Sequence, residues 1–236
     1  MLSSRKRDDV MRLLSISVVL VMIFQALQAN LVTLPPFNFL YLTDIDTTLI
    51  ESPRYRTMDN FTGRPVPGYE SLRMILTLEA AEALKKAHDD FKKEGYMLVV
   101  YEAYRPQRAM NALIEWSKDI HDDVAREKYY PKIDKGELFK LGYMADKSPY
   151  SRGSTVSVTL IRADMPLKTA EVMEHRLTNG ERIPYLDDNT VDMGSSFDLL
   201  HYASNHDSSL IGAMQMEKRH FLRKTMEKHG FVSNPK

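Results

Sequence analysis

Cysteine is missing from this 236-residue chain, which rules out disulfides and thiolate metal sites. Any metal would have to be held by His, Asp or Glu. Net charge is missing as well. The 32 basic side chains balance 32 acidic ones, so there is no electrostatic case for nucleic acid as a partner. The sequence has no glycine-rich phosphate loop and no G-x-S-x-G elbow of a serine hydrolase. Its seven histidines (His88, His121, His175, His201, His206, His220 and His229) form no H-E-x-x-H pattern. No repeat or low-complexity tract occurs. The basic clusters Arg5-Lys6-Arg7 and Lys218-Arg219-His220 are short, and the second reads as the solvated face of a helix. The 14 methionines are dispersed and read as core filler and surface scatter.

What is present suits one ordinary globular domain with a short extension, since 43% of the residues are hydrophobic. Arg5, Lys6, Arg7 and Arg12 precede an uncharged apolar run from Leu13 to Leu27, followed by Gln28-Ala29-Asn30. This is the order of a secretory signal, with cleavage after Ala29 and an exported, periplasmic product. An uncleaved membrane anchor or a buried first helix are the competing readings. The expected organisation is residues 1–29 as signal or anchor and 30–236 as a single domain. Membrane contact is expected through the first segment alone, and oligomeric state is not legible.

Within the domain, residues 30–50 are apolar but irregular around Pro35-Pro36. Residues 52–70 carry turn formers and read as loop with a short strand. Leu76, Leu78, Ala81, Leu84, Ala87 and Phe91 recur at helical spacing, with Gly95 as the stop. Residues 96–102 read as a buried strand, and 105–120 as an amphipathic helix with Pro106 in its first turn. Residues 121–143 are polar and read as a surface excursion, 154–162 as a second strand, and 199–229 as mostly helical up to Gly230. Helices with few strands predict an α+β fold, with helices packed on a small, mostly antiparallel sheet.

Three features could carry chemistry. Asp44-Ile45-Asp46 places two carboxylates two residues apart, as on one face of a strand, but a lone D-x-D is a weak metal signal and a solvated turn is the better reading. Arg105 follows strand 96–102 directly, where its guanidinium could bind a carboxylate or a developing oxyanion; it could also be an ordinary helix-start arginine. The stretch "SPYSRGSTVSVTL", 148–160, is a turn leading into a β-branched run.

Five stretches in order ("NFTGRPVPGYE", "YEAYRPQRAMNALIEW", "KGELFKLGYMADKSPYSRGSTVSVTL", "VDMGSSFDLLHYAS" and "LRKTMEKHGF") resemble the VanX-type D-alanyl-D-alanine dipeptidases. The resemblance runs from Arg54 to Phe231. It implies an α+β zinc-dependent hydrolase of D-alanyl-D-alanine, a small D-amino-acid dipeptide of peptidoglycan precursor metabolism. It also implies that Arg105, in "YRP", stabilises the transition state. The family's first two zinc ligands lie in S-x-H-S-R-G-S-x-x-D. Here Tyr150 stands at the histidine place and Ser157 at the aspartate place, while Ser151, Arg152, Gly153 and Ser154 match. The family's E-W-W-H stretch, which supplies a general-base Glu and a His ligand, follows a Gly-Phe; after Gly230-Phe231 come Val232, Ser233, Asn234, Pro235 and Lys236. His201 and His206 fall where the family also carries histidines and read as surface or supporting groups.

Catalytic zinc needs three protein ligands and an open position, and it lowers the pKa of bound water to roughly 7. A serine hydroxyl is a poor ligand, and a tyrosine must first ionise from about 10. The expectation is a chain that binds no zinc at these positions and has impaired or no catalysis. Its alternatives are a small-peptide-binding pseudoenzyme or a gene remnant. Loss of the E-W-W-H strand would also leave an unpaired sheet edge.

Overall fold

The computed structural model describes residues 36–234. The segment read as signal or anchor, 1–29, lies outside the described residues. Among the described residues no helix is long and apolar enough to cross a membrane.

The chain runs β1 (Phe39–Tyr41), α1 (Leu42–Ile45), β2 (Ile50–Glu51), β3 (Ile75–Thr77), α2 (Leu78–Lys93), β4 (Tyr96–Glu102), α3 (Gln107–Lys118), α4 (Arg126–Tyr129), β5 (Ser157–Arg162), β6 (Glu171–Arg176), β7 (Arg182–Asp187) and α5 (Ala213–Lys228). Short 3₁₀ turns punctuate the loops. The architecture is α+β, as expected, but the strands form three small sheets. The central one has the order β2-β4-β5. Here β2 runs parallel to β4, and β5 runs antiparallel to it. β1 pairs with β3, and β6 with β7, both antiparallel.

Strand β4 is buried on both faces, which is why its sequence is a nearly continuous apolar run. Leu98 and Val100 face α2, where Leu84, Ala87 and Phe91 complete a fully buried layer. Each large side chain in that layer contributes roughly 1.5–3 kcal/mol. Helix α5 covers α2 from outside, with Phe221 edge-on to Phe91 at 5.4 Å. Val99 and Tyr101 point the other way, with Ile161, toward Phe197. The alternation follows from the two-residue period of a strand.

Several sequence expectations need correction. Leu76 lies in β3, so α2 begins two residues later, at Leu78. Asp44 and Asp46 lie on and just after the one-turn helix α1 and have separate partners. Asp44 pairs with Arg73, whereas Asp46 accepts from Thr48 and Lys92. Residues 52–70 contain no strand. Residues 121–143 are no surface excursion, because Tyr129, Tyr130, Ile133 and Leu138 are buried against Phe61 and Trp116. Even Lys135 is buried there, donating to the carbonyls of Asp119 and Asp122 at 2.7 Å each and lying 3.9 Å from the Trp116 ring centre. Residues 199–212 are turns, since Ser204, Asn205, Asp207 and Ser208 offer the backbone local alternatives to a helix. Arg219, expected on a solvated face, is buried.

Candidate functional site

The central sheet ends where its register slips. Val100 pairs with Val158, but the next paired residue is Glu102, opposite Ser157. The resulting bulge aims Glu102 at the head of β5. Three residues later the chain turns into α3, and Arg105 folds back on Glu102. Its Nε and Nη2 donate to the two carboxylate oxygens at 2.6 and 2.8 Å. This is the bidentate geometry that suits guanidinium to carboxylate. Glu102 also accepts from the Tyr69 hydroxyl. The Arg105 guanidinium lies between two aromatic rings, 5.2 Å from the centre of Tyr55 and 5.1 Å from that of Tyr150. Burial opposes its charge, but the Glu102 carboxylate beside it wins and holds Arg105 firmly protonated. The guanidinium edge away from Glu102 is not committed. Nη1 has a 3.8 Å contact with Met110 Sδ, a weak acceptor.

Tyr150 sits on the 3₁₀ turn Pro149–Arg152, which closes at Gly153 in the left-handed region, φ +73°. A Cβ at Gly153 would run into the Phe39 ring, so both the backbone and the packing require glycine. The Tyr150 carbonyl accepts from the Arg105 amide at 3.2 Å, which ties the turn to the end of β4. The Tyr150 hydroxyl and Ser157 Oγ are 2.7 Å apart and hydrogen-bonded to each other. Burial, reinforced by the negative Glu102, pushes the Tyr150 hydroxyl well above the usual phenol range, so it stays protonated.

Asp198 completes the cluster. It occupies the left-handed region at φ +59°, unusual for a residue with a side chain. Its Oδ1 accepts from the Tyr55 hydroxyl at 3.1 Å, while Oδ2 is sealed from solvent with no partner among the described residues. Burial, helped by the charge on Glu102, raises its carboxyl to about 8. Asp198 and Ser157 line a cavity of about 360 Å³, together with Arg54, Tyr101 and Asp188. Asp188 is itself saturated by Arg54, the Tyr101 hydroxyl and Thr190.

The three residues singled out from sequence, Arg105, Tyr150 and Ser157, thus come together in one cluster. His201 and His206 are not part of it. His201 is no surface group, for it is buried, with Nδ1 accepting from the Ala203 amide and Nε2 3.4 Å from Glu181. Sequence reasoning missed Glu102, Tyr55, Tyr69 and Asp198. A carboxylate three residues before Arg105 was the available signal for Glu102, and Asp198 lay unassigned within "VDMGSSFD". As a zinc donor set, Tyr150 and Ser157 do not fit. Both are neutral hydroxyls engaged with each other, and a fixed guanidinium lies against the Tyr150 ring.

The class so defined is an α+β domain with a buried cluster of charged and phenolic groups at the end of its central strand. Residues 38–170 match the family described as D-Ala-D-Ala dipeptidase. A D-alanyl-D-alanine dipeptidase of Enterococcus faecium is 37% identical over 194 residues, covering 82% of this chain and 85% of that protein. One from Streptomyces coelicolor is 32% identical over 196 residues, covering 83% and 86%. A more distant one from Escherichia coli is 27% identical over 179 residues, covering 76% and 70%. The chain belongs to the D-Ala-D-Ala dipeptidase family.

Proposed function

We propose that this chain binds a small D-amino-acid dipeptide of the D-alanyl-D-alanine type beside Arg105 and Asp198, and that it does not hydrolyse the dipeptide by a zinc-activated water at Tyr150 and Ser157. The substrate class is supported by the names of the relatives and by the two opposite charges, Arg105 and Asp198, that flank Tyr55. A dipeptide is a zwitterion. Asp198 lines the cavity, so a turn of its side chain would offer the unpartnered Oδ2 to the ammonium, and Arg105 Nη1, held only by the weak acceptor Met110 Sδ, suits a carbonyl or carboxylate oxygen.

The observation that carries the second half is the Tyr150–Ser157 hydrogen bond. In the resemblance these are the places of two zinc ligands. To ligate an ion, Tyr150 would have to lose a proton that its surroundings hold tightly, and Ser157 would have to give up its partner. Arg105 can bind and polarise an oxygen but cannot generate a nucleophile. Without the ion, Arg105 and Asp198 bind and orient a dipeptide, and the buried rings of Tyr55 and Tyr150 keep water away from the Arg105 guanidinium.

The basic residues 5–7 and 12 ahead of the apolar run 13–27 support an exported, periplasmic location, which cell fractionation tests. The cleft is tested by titrating the protein with D-Ala-D-Ala in a calorimeter while assaying release of D-alanine, with and without added zinc. Saturable binding without release is expected. Release that is abolished by Arg105→Ala overturns the non-hydrolytic half.

A further inference from the structure

On another part of the domain, the turn after Ser204 meets the outer face of α5. The turn carries His206 and Asp207, and the helix carries His220. One ligand atom from each lies within 4.8 Å of the others. His220 Nε2 lies 3.6 Å from Asp207 Oδ1, and the two imidazole rings are 6.1 Å apart, centre to centre. His206 Nε2 is sealed from solvent and has no hydrogen-bond partner among the described residues. A buried ring nitrogen without a partner is costly, and a metal ion is one of the groups that satisfies it.

The backbone that presents these groups is held in place. Arg219, the residue before His220, is buried and donates to the carbonyls of Asn205 at 2.6 Å, Ala203 at 2.8 Å and His206 at 3.4 Å. Its remaining donors reach Met193 O and Ser195 Oγ. One guanidinium therefore straps the turn that carries His206 and Asp207 to the helix that carries His220. This is the kind of outer support that fixes ligand positions around an ion. Asp207 and His220 have mostly exposed side chains. Zinc bonds of 2.0–2.2 Å require ligand atoms about 3.3 Å apart, so the three groups would close from at most 4.8 Å on binding.

We propose that His206, Asp207 and His220 form a binding site for one zinc-class divalent transition ion. Two imidazoles and one carboxylate suit a borderline ion; calcium and magnesium prefer all-oxygen shells. Arg223 approaches Asp207 at 3.4 Å but also bonds Glu227 at 3.0 Å, so Glu227 can keep it when Asp207 turns to the ion. His206 also lines a cavity of about 790 Å³ whose wall includes Tyr150 and Arg152, so the ion would lie at the edge of that space.

The test uses the full chain stripped of metal with a chelator. Zinc is titrated in competition with a chromophoric chelator, and cobalt(II) is added separately as a spectroscopic probe. One equivalent of zinc per chain is expected, with cobalt absorption typical of a low-coordinate site. His220→Ala and His206→Ala should each weaken binding by about 100-fold. A Tyr150→Phe, Ser157→Ala double variant should retain it. His220 is exposed, so His220→Ala decides the matter even if His206→Ala fails to fold. The proposal is overturned by absence of stoichiometric binding, by parental affinity in His220→Ala, or by loss of the ion in the Tyr150, Ser157 variant alone.

Discussion

The Tyr150 hydroxyl and Ser157 Oγ stand 2.7 Å apart and satisfy each other at the mouth of the central sheet. Replacing the pair by the family's ligand types should create, at these two positions, a zinc affinity that the parent does not have there. In a His220→Ala background, Tyr150→His with Ser157→Asp is expected to bind zinc at least about tenfold more tightly than the same background without them. Competition with a chromophoric chelator measures it, and equal affinities would show that these two positions do not govern metal binding.

Glu102 and Arg105 form a pair buried at one end by the sheet and at the other by Tyr55 and Tyr150. Removing one partner leaves the other charge stranded. Glu102→Ala should lower unfolding stability by about 3–5 kcal/mol, whereas Glu102→Leu with Arg105→Met should cost clearly less. Urea unfolding of the two variants gives the comparison. A larger loss in the double variant would mean that the pair contributes more than it costs to bury.

Asp198 supplies a pH dependence of known sign. Its carboxyl titrates at about 8 in the folded chain against an ordinary 3.8. Between those values the folded state holds a proton that the unfolded state has released. Stability from this group therefore falls as pH rises from about 4 to 8, by at most about 1.4 kcal/mol per unit, and levels off above 8. Asp198→Asn should remove that slope, so its stability relative to the parent rises over the same window. A difference that stays flat from pH 4 to 8 would contradict the buried, protonated carboxyl.

The same group predicts a proton balance for ligand binding. At pH 7 Asp198 is mostly protonated, and an ammonium placed against Oδ2 would drive the proton off. Binding of D-Ala-D-Ala at pH 7 should release close to one proton, seen as a dependence of calorimetric heat on the buffer's ionisation enthalpy. Asp198→Asn should abolish the release and weaken binding by roughly 10–100-fold, the worth of a charged hydrogen bond. Undiminished release in the variant would assign the proton elsewhere.

Gly153 and Gly95 both lie at positive φ, but their surroundings differ. An alanine Cβ at Gly95 meets nothing within 4 Å, whereas at Gly153 it meets the Phe39 ring. Gly95→Ala should cost about 1 kcal/mol, and Gly153→Ala a further 1–3 kcal/mol by overpacking. Thermal unfolding of the two variants separates the backbone cost from the packing cost.

Parts of this were legible in the sequence for physical reasons. The strand 96–102 and the helix that ends at Gly95 showed themselves through period and punctuation, and Arg105 through its place between strand and helix. Tyr150 and Ser157 stood out only against the flanking Ser151 to Ser154. What stayed hidden depends on contacts between distant segments. The 121–143 region looks polar because its burial rests on unperiodic tyrosines and on a lysine whose charge is satisfied by backbone carbonyls. Asp198 gives no local sign of its raised pKa, which comes from burial among distant segments, helped by the charge on Glu102. The β6–β7 hairpin escaped because its exposed strand is polar enough to read as loop.

The most direct test of the account is calorimetric titration of the purified chain with D-Ala-D-Ala at pH 7, with released D-alanine measured in the same solution with and without zinc. Saturable binding, lost in Asp198→Asn and accompanied by no D-alanine above the uncatalysed background, is the predicted result. Steady release of D-alanine that requires Arg105 would contradict it.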